Sequence, residues 1–324
     1  MHITSRKLPY RASMIGVVSI ASLFIVVSLF ASHRVLAQEK RAKSGIEIAP
    51  AFVEVDLTTA AQSKEIKIEL TNHSPETVRL RMFPIDFKQS DEQGRLTFFT
   101  NNTGTFSYSL SSFLSFEADQ LILSPKEKKI FTVVVRNRAD LSPGGHYAAV
   151  VGSLINEQNS GETQIAPAVS SLILLRKVGG EYFNLSLKEV GWPERWVVLG
   201  YPSTLTLMFQ NEGNIHMIPY GRAEIRDIFG RLVYKGIINT SSTRVFPESR
   251  RRIDVEMKKV EGGFPFSINI LKVEGQDSLK KATYSYREYF LYVNPFTAML
   301  TFTAVVIALV GIKLVKKKSQ GHRS

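Results

Sequence analysis

No cysteine occurs anywhere in the 324 residues. That excludes disulfides, thiolate metal sites and thiol catalysis, and it leaves apolar burial as the means of holding any exported domain together. Histidine is scarce too. Of six histidines, only His73, His146 and His216 lie away from the two ends. They form no His-x-x-x-His or Glu-x-x-His pair, so the sequence predicts no metal site and no cofactor. A Gly-x-Ser-x-Gly nucleophile elbow is missing, and acids sit at turn edges rather than inside apolar runs that would raise their pKa. Asp227-Ile-Phe-Gly230 looks like a kinase metal loop in isolation, but no glycine-rich loop or His-Arg-Asp segment accompanies it, so it reads as a hairpin turn. No catalytic residue is assigned, and the chain is not expected to be an enzyme.

Acidic residues are missing from both ends. The formal net charge is +12, yet residues 1–37 and 313–324 hold nine basic side chains and no acid, leaving 32 basic against 29 acidic between them. That middle segment has an ordinary solvated surface, so no nucleic-acid partner is expected, and the terminal charge is a matter of topology.

Two long apolar runs are present. Phe296 to Ile312 carries no charge, enough helix to cross a hydrocarbon core, and the predicted transmembrane helix covers 296–315 with Lys313 snorkelling outward. Tyr289, Tyr292 and Phe296 precede it as one membrane-interface anchor. Lys313, Lys316, Lys317 and Lys318 form the other and lead into a basic tail at 316–324, which places the C-terminus in the cytoplasm of a single-pass cell-membrane protein and the preceding domains outside. At the other end Arg6, Lys7 and Arg11 precede an apolar run from Met14 to Ala31, and Val35-Leu36-Ala37 has the small-residue pattern of a signal-peptidase site. Residues 1–37 read as a signal peptide with the mature chain starting at Gln38; the alternative is an uncleaved anchor.

Between the ends, and after a lead segment at 38–45, the pattern has period two. Glu65-Ile66-Lys67-Ile68-Glu69-Leu70 alternates cleanly, as a half-buried strand does. Val78 to Met82 alternates likewise until Pro84, which is expected to break the ladder. Asn101 to Ser112 reads as a long surface loop. Ile130 to Val135 is apolar at nearly every position and suggests a strand buried on both faces. About eight strands fill residues 46–178 and seven more fill 181–293, divided at Gly179-Gly180. The expected fold is all-β: two immunoglobulin-like β-sandwich domains in tandem, with an N-terminal signal helix and a C-terminal transmembrane helix. The last strand should end about 10 Å of extended chain before the membrane helix. Arg250, Arg251 and Arg252 are the densest positive cluster outside the ends. They are a candidate contact for an anionic polymer or lipid headgroups, and fit better a charged, solvated strand edge that resists aggregation.

Two passages together resemble a known family. The first domain pairs Gly45-Ile-Glu-Ile-Ala-Pro50 with Leu123-Ser-Pro-Lys-Glu-Lys-Lys-Ile-Phe-Thr-Val-Val-Val135 and Pro143-Gly-Gly-His-Tyr-Ala-Ala-Val-Val-Gly152. The second has Phe209-Gln-Asn-Glu-Gly-Asn-Ile-His-Met-Ile-Pro-Tyr-Gly221, then Asp227-Ile-Phe-Gly230, Phe246-Pro-Glu-Ser-Arg250 and the lysine-flanked anchor. This order of parts resembles the WxL-interacting proteins of Gram-positive cell surfaces. The resemblance implies a first domain associated with peptidoglycan and a second associated with host or partner proteins. The function expected on that basis is a membrane-anchored bacterial cell-surface adhesion or scaffold protein, with the lipid bilayer, surface proteins and peptidoglycan as partners. The first domain also resembles pilus-chaperone sandwiches, so an assembly factor for secreted surface proteins is the alternative. A cell-wall-active enzyme using His146 or His216 is the third.

Overall fold

The computed structural model describes residues 45–58, 63–99, 106–155, 167–192 and 196–320, with side chains through Lys313. The expected signal segment, the start at Gln38, the first part of the loop at 101–105 and the side chains of Lys316, Lys317 and Lys318 lie outside the described residues.

Residues 46–177 form one sandwich of two sheets. The first sheet runs β1 (Ile46–Ala49), β3 (Ser63–Asn72), β8 (Lys128–Arg136), β6 (Leu114–Phe116). The second runs β2 (Phe52–Leu57), β10 (Ala168–Lys177), β9 (Gly144–Leu154), β4 (Val78–Gln89), with β5 (Leu96–Phe99) and β7 (Gln120–Leu123) both on the far side of β4. The period-two stretch behaves as its pattern requires: Ile66, Ile68 and Leu70 are buried while Glu65 and Lys67 face solvent. They meet Leu80, Leu123, Phe131, Val133, Val150, Ile173 and Leu175 in one core.

Residues 185–293 form the second sandwich. One sheet is β11 (Leu185–Gly191), β13 (Thr204–Asn211), β16 (Ser249–Glu256). The other is β12 (Val197–Val198), β19 (Thr283–Val293), β18 (Phe266–Asp277), β14 (Pro219–Asp227), β15 (Leu232–Ile238), β17 (Lys258–Lys259). Leu207, Phe209, Ile225, Val255, Leu271, Val273 and Phe290 fill the space between them. Both sandwiches open the same way. In each, a first strand pairs antiparallel in one sheet (β1 with β3, β11 with β13), and the chain then crosses to pair parallel with the last strand of the other (β2 with β10, β12 with β19). The tandem all-β sandwich arrangement expected from the sequence is the one observed.

Three local expectations differ. β4 runs straight through Pro84, which pairs with Val150. Met82 donates its N–H to Asp119 on the outer flank, so the nitrogen of Pro84, two residues on, faces the same flank. It falls in the gap between Arg81, which pairs with Gln120 at the start of β7, and Asp86, which pairs with Phe99 at the end of β5, and no ladder bond is lost there. β8 is buried on one face only, with Ile130 57% exposed. The strands buried on both faces are β9, from Gly144 through Val150, and much of β10. Their second face has a different partner, described below. Finally, the expected loop is not all surface: Leu110 is fully buried, and Ser111–Phe113 form a 3₁₀ turn.

After β19 the chain enters α1 (Pro295–Gln320), the one helix among the described residues that is long and apolar enough to cross a membrane. A single residue, Asn294, separates strand from helix, so there is no extended 10 Å tether. Its side-chain oxygen accepts from the N–H groups of Phe296 and Thr297 at 2.9 and 3.3 Å, and its own N–H donates to Pro265 at 2.8 Å. Asparagine at the cap followed by proline in the first helical position is a strong helix start.

Candidate functional site

The two sandwiches meet along a seam built from the outward face of β9 and β10. Because side chains alternate along a strand, Ile173, Leu175, Ala148 and Val150 point into the first core, whereas Leu174, Tyr147 and Ala149 point out and form a separate apolar cluster with Phe87. Phe246 of the second sandwich closes it, meeting Tyr147 edge-on at 4.9 Å and Phe87 at 5.7 Å between ring centres. Edge-to-face contacts of this kind are directional as well as apolar.

A polar network surrounds these rings. The N–H of His216 donates to the Tyr147 hydroxyl at 2.7 Å, and that hydroxyl lies 3.3 Å from Nδ1 of the His216 ring. The hydroxyl has one proton to give, and giving it to Nδ1 leaves the ring's own proton on Nε2, which faces a Glu54 carboxylate oxygen at 3.5 Å. Glu54 also pairs with Arg244. Its carboxyl is held down at about 2, first by His216 and then, against the opposing cost of burial, by Arg244. Burial pushes the Tyr147 hydroxyl well above its ordinary value, so it stays protonated. Arg244 lies 4.2 Å over the ring of Phe52. Glu54, Tyr147 and Phe52 belong to the first sandwich, His216, Arg244 and Phe246 to the second. Backbone bonds add to the joint: Gly145 donates to Asn214 at 2.7 Å and Arg252 to Glu92 at 2.8 Å.

Two of the clefts along this seam bring charged and aromatic side chains together. One of about 610 Å³ is lined by Glu54, Asp56, Lys64 and Lys67 from the first sandwich and by Ile215 and His216 from the second. The other, about 330 Å³, is aromatic, with Phe106, Tyr108, Tyr147 and Phe246 beside Lys88 and Glu248. Neither holds a cluster of metal ligands: among the described residues no group of three or more acids and histidines is placed to hold an ion. His146 is buried, with Nδ1 3.0 Å from the Ser109 carbonyl and Nε2 2.8 Å from that of Ser142, and burial lowers its pKa. It ties a loop to a turn.

The arginine triplet lies on β16, the edge of its sheet. Arg250 and Arg252 are exposed, and the carbonyl of Arg250 accepts from the Gln89 side chain of the first sandwich. Arg252 bonds Asp254 and Thr206. Arg251 alternates to the other face and tucks its guanidinium against Gly94, where burial lowers its pKa. Of the expected membrane-interface residues, Tyr289 and Phe296 are exposed, whereas Tyr292 stacks on Tyr201 at 4.1 Å. Lys313 is exposed in α1, and Lys316, Lys317 and Lys318 fall in the same helix. The seam residues were missed by sequence reasoning. Their one sequence signal was the unbroken apolar character of Ala148–Val151 and Leu172–Leu175, which announces a second buried face without naming what covers it.

No protein-family model matches the chain, and no curated protein is similar to it in sequence. Among solved structures it is similar to a chaperone–tip adhesin complex of CFA/I fimbriae biogenesis (TM-score 0.41, 11% identity, covering 76% of this chain and 98% of that one). It is similar also to the class 5 fimbriae chaperone CfaA (0.40, 11%, 76% and 99%). A third is the CsuC–CsuE chaperone–tip adhesion subunit pre-assembly complex of Acinetobacter baumannii (0.32, 8%, 64% and 88%). Scores and identities this low carry no functional argument.

Proposed function

We propose that the chain is a membrane-anchored scaffold, displayed outside the cell membrane, that binds surface proteins without turning them over. The observation that carries this reading is the junction at Asn294: the last strand of a two-sandwich body passes through one capped residue into an apolar helix of which no part is buried. A helix with no packed face and mean hydropathy 2.1 across its apolar window is at home in lipid rather than water. The basic residues that follow orient it with the sandwiches outward. The resemblance to WxL-interacting proteins supports the same architecture, and the finer assignments, peptidoglycan to the first sandwich and partner proteins to the second, rest on that resemblance. The exposed Arg250 and Arg252 remain the candidate contacts for an anionic wall polymer.

A second reading, an assembly factor that holds secreted subunits in transit, is favoured by β10. It pairs with β2 only from Leu172 onward, and among the described residues no strand lies outside Ala168–Ser170, an open edge of the kind an extended segment can extend. Crosslinking in intact cells followed by a chase separates the two. A scaffold keeps its partners crosslinked throughout, and an assembly factor loses them as they reach the surface. Recovery of no surface protein at any time, with no retention on isolated wall, would sink both.

A further inference from the structure

The second sandwich has two ends, and they differ in chemistry. One end packs against the first sandwich through Phe246, and the turn residues beside it, Asn239-Thr-Ser-Ser-Thr243 and Ser278-Leu-Lys-Lys281, are polar apart from Leu279. The other end is where β14 and β19 finish and β15 and β18 begin, as the pairings of Asp227 with Asn269 and of Phe266 with Val293 fix. Here six large apolar side chains stand in the open: Trp196 (72% exposed), Leu199, Ile228, Phe229 (77%), Phe264 and Phe266. They are held there by structure. Asp227 is buried, and its carboxylate accepts from the N–H groups of Phe229 and Arg231 at 3.0 and 2.9 Å, while Gly230 takes a left-handed conformation (φ +82°), so the turn presents Ile228 and Phe229 outward. Arg231 bonds Asp227 and lies 4.4 Å over the ring of Phe264, which meets Phe229 edge-on at 6.0 Å. The carbonyl of Trp196 accepts from Leu291 on β19.

This is also the end from which α1 leaves, since Asn294 donates to Pro265, the residue before Phe266. A bilayer crossed by α1 would therefore lie against this rim.

We propose that the rim is a second membrane contact: Trp196, Phe229 and their neighbours enter the headgroup–acyl boundary and fix the orientation of the sandwiches on the bilayer. This rests on α1 spanning that bilayer. Tryptophan is enriched at this depth because its ring is apolar and its N–H polar, phenylalanine and leucine bury into the same boundary from one apolar face, and exposed apolar surface of this extent is otherwise a liability on an exported domain. The rim needs no particular lipid charge, because its one central cation, Arg231, is already paired with Asp227.

The sequence makes the test direct, because there are two tryptophans, and Trp192 is buried at 4.6 Å from Phe290. The full chain is reconstituted in phosphatidylcholine vesicles whose acyl chains are brominated either near the glycerol or near the terminal methyl. The expected result is loss of tryptophan emission with bromine near the glycerol, abolished by Trp196→Phe and reduced by Phe229→Asp, a substitution at a solvent-exposed tip that leaves the core intact. Alkaline extraction of the same vesicles, with chain that N-terminal sequencing shows to begin at Gln38 and so to lack the apolar run at 14–31, reports on α1 separately. A chain that resists extraction while Trp196 is unquenched in both lipids keeps the anchor and overturns the rim contact. A chain that is extracted although Trp196 is quenched before extraction supports the rim and overturns the anchor; one that is extracted and never quenched overturns both.

Discussion

Gly94 and Arg251 show how the seam constrains single residues. Gly94 has φ +81°, and a Cβ built there would fall 0.7 Å from a terminal nitrogen of Arg251. Gly94→Ala therefore incurs a left-handed backbone, about 1–2 kcal/mol, and must also expel the guanidinium. We expect a lower unfolding midpoint in urea, with Arg251→Ala in the same chain relieving part of the loss; equal losses with and without Arg251 would remove the steric account. Glu54 makes a pH-dependent prediction. Its folded pKa is depressed from 4.5 to about 2, so its contribution to stability is complete above the unfolded value and is lost as pH falls through the folded one. The side chain is 42% exposed, and solvent screening limits the pair to about 1 kcal/mol. Glu54→Gln should accordingly lower stability at pH 7 and by less at each step below pH 4.5, the remainder disappearing only as pH falls through about 2. Denaturation curves across that range would contradict this by showing a constant gap.

At the level of elements, both sandwiches use the same device. Asn72 at the end of β3 donates through its side-chain nitrogen to Glu76 and Leu123 while its oxygen accepts from Ser74. Asn211 at the end of β13 donates to Ile215 and Val245 and accepts from Gly213. In each case one buried amide ties a strand end to the turn that follows and to a distant segment. Asn211→Ala leaves the Ile215 carbonyl and the Gly213 N–H without their partner and takes one of two bonds from the Val245 carbonyl, which keeps the Met217 N–H, and buried polar groups left unpaired cost about 1–3 kcal/mol each. Asn72→Ala should cost less because two of its bonds are only partly buried; chemical denaturation of the detergent-solubilised chain gives the order, and the reverse order would count against it. The strands themselves were legible where one face is wet, as at Glu65–Leu70. They were misread where a neighbour outside the local pattern decides the outcome. Pro84 is tolerated because two short strands leave a gap beside it, and Ile130 is exposed because apolar content alone does not say which face is covered. The seam was illegible for the same reason: Tyr147 and His216 lie 69 positions apart, and no periodicity connects them.

For the whole molecule, the seam and the junction act together. The aromatic cluster and the Glu54–His216–Arg244 network join the sandwiches, and Asn294 joins the second sandwich to α1 without slack, so a force or partner at the first sandwich is transmitted to α1 through packed contacts. That depends on α1 being a true span, which its composition makes testable. Val305 and Leu309 lie one turn apart near the middle of the apolar window and are exposed. An arginine at the centre of a spanning helix costs about 3 kcal/mol for insertion, so Val305→Arg with Leu309→Arg should move the chain from the carbonate-resistant pellet to the soluble fraction, whereas Val305→Leu with Leu309→Ile should leave it in place. The N-terminal apolar run is the one competitor, and N-terminal sequencing of the retained chain separates the two. A double-arginine chain that stays in the pellet and begins at Gln38 has no other apolar span to hold it, and that outcome would refute α1 as the anchor. One that stays and begins at Met1 assigns the hold to residues 14–31 instead.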